Sequence, residues 1–138
     1  MSQENVELVV ALHRTDLGRV YREDAVWAAW SASLAPDFAH VAVNGIDGTT
    51  VATDAEGMRR AWLSWVAPFV TYRQEVEEAI DCGDRVVVHV NHFGRVETGT
   101  GEVKLSGAGI WTVRDGKVVR LESYTDRSEA LRAVGLAE

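Results

Sequence analysis

The chain has 138 residues and a mass of 15.2 kDa, with 46% hydrophobic and 25% charged residues, the proportions of one ordinary globular domain. Its 14 basic and 21 acidic side chains leave a net charge of −7, which argues against nucleic-acid backbones or anionic lipid as partners. A single cysteine, Cys82, excludes an internal disulfide, and no apolar run is long enough to span a bilayer; with a polar, acidic start unlike a signal peptide, a cytoplasmic location is expected.

Val6, Val9, Val10, His13, Leu17, Val20 and Tyr21 recur at three-and-four spacing and predict one long helix. A second helix follows from about Asp24, with Trp27, Trp30 and Leu34 on one side and Pro36 ending it. Residues 38–44 alternate as a short strand, and Asn44-Gly45 and Asp47-Gly48 predict turns. Thr53-Asp54-Ala55-Glu56 has the form of a capping box, ahead of an amphipathic helix that buries Met58, Trp62, Trp65, Val66 and Phe69. The period then changes to two, predicting strands over 72–80, 85–97, 102–114 and 117–124. Their connections are a turn at Asp81-Cys82-Gly83-Asp84, a hairpin at Gly99-Thr100-Gly101 and a two-residue turn at Asp115-Gly116. Asp126 and Glu129 cap a short last helix that Gly135 stops. Helices first and an antiparallel meander after predict a single α+β domain over 1–138, with helices packed on one face of a curved sheet.

Four stretches carry more than pattern: Met1-Ser2-Gln3-Glu4-Asn5-Val6-Glu7, Leu34-Ala35-Pro36-Asp37-Phe38, Ile80-Asp81-Cys82-Gly83-Asp84-Arg85-Val86-Val87-Val88, and the tail from Ile110-Trp111-Thr112-Val113-Arg114-Asp115-Gly116 to Leu136. With the order of elements, they resemble the SnoaL-like branch of the nuclear transport factor 2-like superfamily, which includes ketosteroid isomerases and polyketide cyclases. The resemblance implies a cone-shaped α+β barrel, three to four helices on the concave face of a curved, mostly antiparallel sheet, and a homodimer through the convex face. It does not imply one reaction, because the superfamily spans isomerases, cyclases, epoxide hydrolases, dehydratases and non-catalytic binding modules. Position by position, the isomerase-like tyrosine of the first helix matches His13, the first-strand carboxylate Ala42 and the second acid Gly109. The cyclase-like aspartate of the last strand matches Ser123, and the hydrolase-like arginine and aspartate match Asn91 and Phe93. Every familiar carboxylate is therefore absent from its matching position.

Taking Phe38, Trp111 and Leu121 as inward also turns His40, Ala42, Asn44, Gly109 and Ser123 inward. On the second long strand the resemblance directs His89, Asn91, Phe93 and Arg95 inward and leaves Val88, Val90 and His92 outward. The expected site is an enclosed aromatic cavity with His40 and His89 as acid/base residues. His13, Asn44, Trp62, Trp65, Asn91, Phe93, Gly109, Trp111, Leu121 and Ser123 line it for a small apolar or amphipathic molecule. No cofactor is expected. His13, His40 and His89 would resemble a zinc site if they converged, but no close ligand pair supports a metal. Glu75, Glu77 and Glu78 read as solvated charges, and Cys82, beside Asp81 and Asp84, as a poor nucleophile. Two functions stay open: cofactor-independent isomerisation, cyclisation or dehydration, and ligand binding or dimerisation without turnover.

Overall fold

The computed structural model describes residues 2–45, 48–96 and 101–136. Five helices pack against one curved, unclosed six-stranded sheet of order β2-β1-β6-β5-β4-β3. In chain order these are α1 (Ser2–Arg14), α2 (Leu17–Arg22), α3 (Asp24–Ser31), β1 (Leu34–Gly45), β2 (Gly48–Ala52), α4 (Ala55–Val66), β3 (Phe69–Cys82), β4 (Arg85–Val96), β5 (Val103–Arg114), β6 (Lys117–Tyr124) and α5 (Arg127–Ala133). All neighbouring strands pair antiparallel except β1 and β6, which run parallel. No helix of the described residues is long and apolar enough to cross a membrane.

The first predicted helix is two. Asp16 leaves helical geometry and its carboxylate accepts the backbone N–H of Arg19, capping α2 after α1 has ended. The apolar stripe continues across the break, which is why periodicity alone runs the two together: Val9, Leu12, Leu17, Val20 and Tyr21 all join the same core. The expected capping box is a single cap. Asp54 accepts from the Gly57 N–H at 2.7 Å, while Glu56 accepts the Trp27 indole N–H at 3.0 Å instead of reaching back. Strand β2 begins at Gly48, where the Asp47-Gly48 turn is expected, and pairs with β1. Asp115 and Gly116 have φ of 53° and 76°, the pair of left-handed residues that a tight hairpin with the strand twist requires. Asp47 and residues 97–100 of the expected turns lie outside the described residues.

Two cores flank the sheet. On the concave face, α1–α4 close over Phe38, Tyr72, Val86, Val88, Val90, Trp111, Val118 and Leu121. On the convex face, α5 lays Ala130 over Val87, Ala108 and Ile110. Arg127 fastens this helix: it donates to the carbonyls of Gly107 and Val90 and to Asn91 Oδ1, and pairs with Glu77 on β3. Strand β4, one in from the β3 edge, is thereby buried from both sides. Part of the convex face expected to form a dimer is covered by the chain's own last helix; another part carries Phe93 under the Arg73 guanidinium, 3.9 Å from the ring centre, with Glu75 paired to Arg73.

Candidate functional site

Burial of β4 on both faces reverses the expected facing of its side chains. Val86, Val88 and Val90 belong to the concave core and Val87 to the convex one, so His92 turns toward the helices while His89, Asn91 and Phe93 turn away. His40 and His89 consequently lie on opposite faces of the sheet and share no cavity. His89 sits with Nδ1 3.5 Å from Glu78 and its Nε2 buried without a partner. Asn91 Oδ1 accepts from Ser106 at 2.8 Å and from Arg127, a structural role under α5. Phe93 is capped by Arg73, and Arg95 is exposed. None of these four reaches the helix-covered face.

Of the other expected residues, His40 and Trp62 meet on that face. This indole stacks on Tyr21 with centroids 5.7 Å apart, lies 6.3 Å from the His40 ring and stacks on His92 at 6.2 Å. Its Nε1–H is buried and has no partner among the described residues. His40, 5% exposed, holds Ser123 Oγ at 3.0 Å through Nε2. Among the described residues no carboxylate hydrogen-bonds His40, so this pair lacks the group that orients a histidine in a hydrolytic triad. Ala42 pairs with Ser123 across β1 and β6. The side chain of Asn44 lies outside what the structure describes.

A chain of hydrogen bonds runs beside this cluster. Trp111 donates its indole N–H to His13 Nε2 at 3.1 Å, and His13 Nδ1 meets Gln74 Oε1 at 2.8 Å. The Gln74 amide nitrogen lies 3.0 Å from His92 Nδ1, which also receives Tyr72 at 2.5 Å; Tyr72 in turn accepts from the Trp65 indole at 3.1 Å. Gly109 permits the first link: a Cβ there would stand 3.3 Å from both Trp111 Nε1 and Leu121 Cδ1, so its space is filled by those side chains and is not open to a ligand. Gln74, Tyr72 and His92 escaped the sequence reading. The signal available for them was the alternation of Tyr72, Gln74 and Val76 on β3 opposite Gly94, His92 and Val90 on β4.

Burial sets the charge state. It lowers the pKa of His40 to about 4 and that of His92 to about 4, the latter with added repulsion from His13. Burial also lowers His13, partly offset by its bond to Gln74, and pushes the Tyr72 phenol up. All three imidazoles are therefore neutral near pH 7. Among the described residues no three His, Cys, Asp or Glu side chains cluster closely enough to hold a metal, and both ring nitrogens of His13 are already hydrogen-bonded.

An open cleft of about 540 Å³ lies between α1 and β3, lined by Val10, His13, Arg14, Gln74, Glu75 and Val76. A second, of about 600 Å³, lies between α1 and the β5–β6 turn. Neither is lined by His40, Trp62 or His92; the first reaches the relay at His13 and Gln74.

The fold recurs widely among solved structures. TerC, co-crystallised with polyporic acid, superposes with a TM-score of 0.70 at 23% identity, covering 95% of this chain and 98% of that one. A SnoaL-like polyketide cyclase so assigned from Jannaschia sp. CCS1 gives 0.71 at 19% identity over 99% and 95%. A ketosteroid isomerase-like protein from Catenulispora acidiphila, in complex with trimethylamine, gives 0.67 at 18% over 94% and 93%. At these identities the likeness is one of fold. No curated protein sequence matches the chain. The profile of the SnoaL-like domain matches residues 10–121, and the chain belongs to the SnoaL-like family.

Proposed function

We propose that the protein binds a small, uncharged, mostly apolar molecule beside Trp62 and moves a proton on it without a cofactor, with His40 as the acceptor. The observation that carries this reading is the placing of His40 and His92 against one indole whose buried N–H has no partner among the described residues. A buried donor left unpaired costs stability, so a site that keeps one suits a ligand that satisfies it. Neutral imidazoles suit an uncharged ligand, and a base with a pKa of about 4 suits only a substrate whose proton is already acidic, such as a C–H between two carbonyls. The homodimer through the uncovered part of the convex face and the cytoplasmic location belong to the same reading.

The rival reading is a binding domain of the same fold without turnover. The low basicity of His40 favours it, as does the close stacking of Tyr21 and His92 on Trp62.

Benzoylacetone separates the two. Its binding is read by quenching of tryptophan fluorescence, and proton transfer by exchange of its central C–H in D2O. On the enzyme reading, exchange by the native protein exceeds that by His40→Gln about a hundredfold. Equal rates with intact binding establish the binder, and an absence of binding overturns the pocket. Native mass spectrometry of the purified protein reports subunit number and any retained organic molecule in the same experiment.

A further inference from the structure

The two ends of the hydrogen-bond chain are indoles, and an indole N–H can only donate. Trp111 gives its proton to His13 Nε2, so that nitrogen is the acceptor and the neutral ring carries its own proton on Nδ1. Nδ1–H then donates to Gln74 Oε1, which fixes the amide: its NH2 must face His92 Nδ1. From the other end Trp65 donates to the Tyr72 oxygen, and Tyr72 passes its proton to the same His92 Nδ1. The two converging arms thus end in the Gln74 amide and the Tyr72 hydroxyl, both of which donate to one nitrogen. Nδ1 of His92, receiving two donors, cannot hold a proton of its own, and the ring's single proton is confined to Nε2.

We propose that His92 is a fixed hydrogen-bond donor through Nε2–H, that Gln74 is the positioning residue that sets this tautomer, and that the ligand therefore presents an oxygen acceptor, a carbonyl or the enolate formed from it, to His92. The proposal rests on reading the Trp62 cluster as a ligand site. It divides the labour between the two histidines: His92 has no free lone pair with which to accept a proton, so it stabilises a developing oxyanion while His40 takes the proton. The buried N–H of Trp62, in the ring stacked on His92, supplies a second donor of the same kind. With donors and, among the described residues, no carboxylate hydrogen-bonded to these rings, the cluster selects for acceptors and against ammonium groups.

The tautomer is measured without any ligand, so its outcome is independent of the function proposed above. Long-range 1H–15N correlation spectra of the 15N-labelled full chain at pH 7 report which nitrogen of each ring is protonated, with signals assigned from single His→Gln variants. The expected result is His92 protonated at Nε2 and His13 protonated at Nδ1, opposite tautomers on the two sides of one amide. Gln74→Glu combined with Tyr72→Phe replaces one donor by an acceptor and removes the other, and His92 then acquires a proton on Nδ1. Tyr72→Phe alone leaves the native tautomer, because Gln74 still donates. A proton on Nδ1 of native His92, or a double variant that leaves Nδ1 unprotonated, overturns the assignment. In a second arm, benzoylacetone shifts the His92 Nε2 signal and butylbenzene, which has no acceptor, does not. Bound benzoylacetone with an unmoved Nε2 signal removes the donor role, whereas failure of benzoylacetone to bind removes the proposed function and leaves the tautomer standing.

Discussion

Trp111 and His13, separated by 98 positions in the chain, meet edge to face with ring centroids 5.2 Å apart and an indole N–H···Nε2 hydrogen bond of 3.1 Å. This single contact ties α1 to β5 across the core and sets the direction of the whole relay. Trp111→Phe keeps the ring and removes the donor. It leaves His13 Nε2 buried without a partner and is expected to cost about 1–3 kcal/mol in urea unfolding. It also frees the His13 proton to occupy either nitrogen, which the imidazole 15N shifts detect. A variant as stable as the native protein, with an unchanged His13 tautomer, would show that the bond has no orienting role.

The depressed pKa of His40 makes stability depend on pH in a definite direction. In the unfolded chain this imidazole takes up a proton near its ordinary value of 6.5, whereas in the folded protein it does so only at about 4. Between those values the unfolded state binds more protons, so stability is greatest above pH 6.5 and falls as the pH drops toward 4. The part due to His40 amounts to about 3 kcal/mol over that window. His40→Gln can still bond Ser123 but does not titrate. Its urea-unfolding free energy should fall less steeply from pH 7 to pH 4.5 than that of the native protein. Parallel pH profiles would mean that the His40 ring is charged or solvated in the fold.

Arg127 holds α5 to three strands through Glu77, Val90, Asn91 and Gly107. Arg127→Met keeps much of the stem and removes every one of these bonds, leaving the Gly107 and Val90 carbonyls to water and Asn91 Oδ1 with Ser106 alone. The expected loss is about 2 kcal/mol of global stability. Amide exchange of residues 127–133 should rise far more than that of α1 or β4. Uniform loss of protection throughout the chain would show that α5 is an integral part of the cooperative core and not a helix docked onto it.

The fold was legible in the sequence because most of its elements are buried on one side only. The stripes of α1 and α4, the alternation along β3 and the Asp115-Gly116 turn each point to one structure. On β1, β6 and the helices the expected facing holds: His40 meets Ser123 and Trp62, and His13 meets Trp111. It fails on β4, and for a physical reason. Residues 86–90 are all buried, since α1–α4 lie on one face of the strand and α5 on the other. A strand buried on both faces shows no alternation, and a slip of one residue exchanges His89 for His92. Register cannot be recovered locally there; it requires knowing that Tyr72 and Gln74 face the same core from β3. The relay itself depends on the tautomers of two histidines, which no residue pattern encodes.

That exchange yields the sharpest comparison available. His92 lies in the ring cluster with its Nδ1 anchored by Gln74 and Tyr72, and His89 lies beneath the convex surface near Glu78. His92→Gln removes the ring stacked on Trp62 and the proposed donor, and should reduce benzoylacetone binding by about tenfold, the loss of one hydrogen bond to a ligand oxygen. His89→Gln changes a side chain on the other side of the sheet and should leave both binding and C–H exchange within about twofold of native. Its effect should be confined to stability, where replacing a buried, unpartnered Nε2 is expected to be nearly neutral. A His89 variant that loses binding while His92→Gln retains it would return the site to the convex face. Equal loss in both, with matched unfolding curves, would place the ligand against neither histidine.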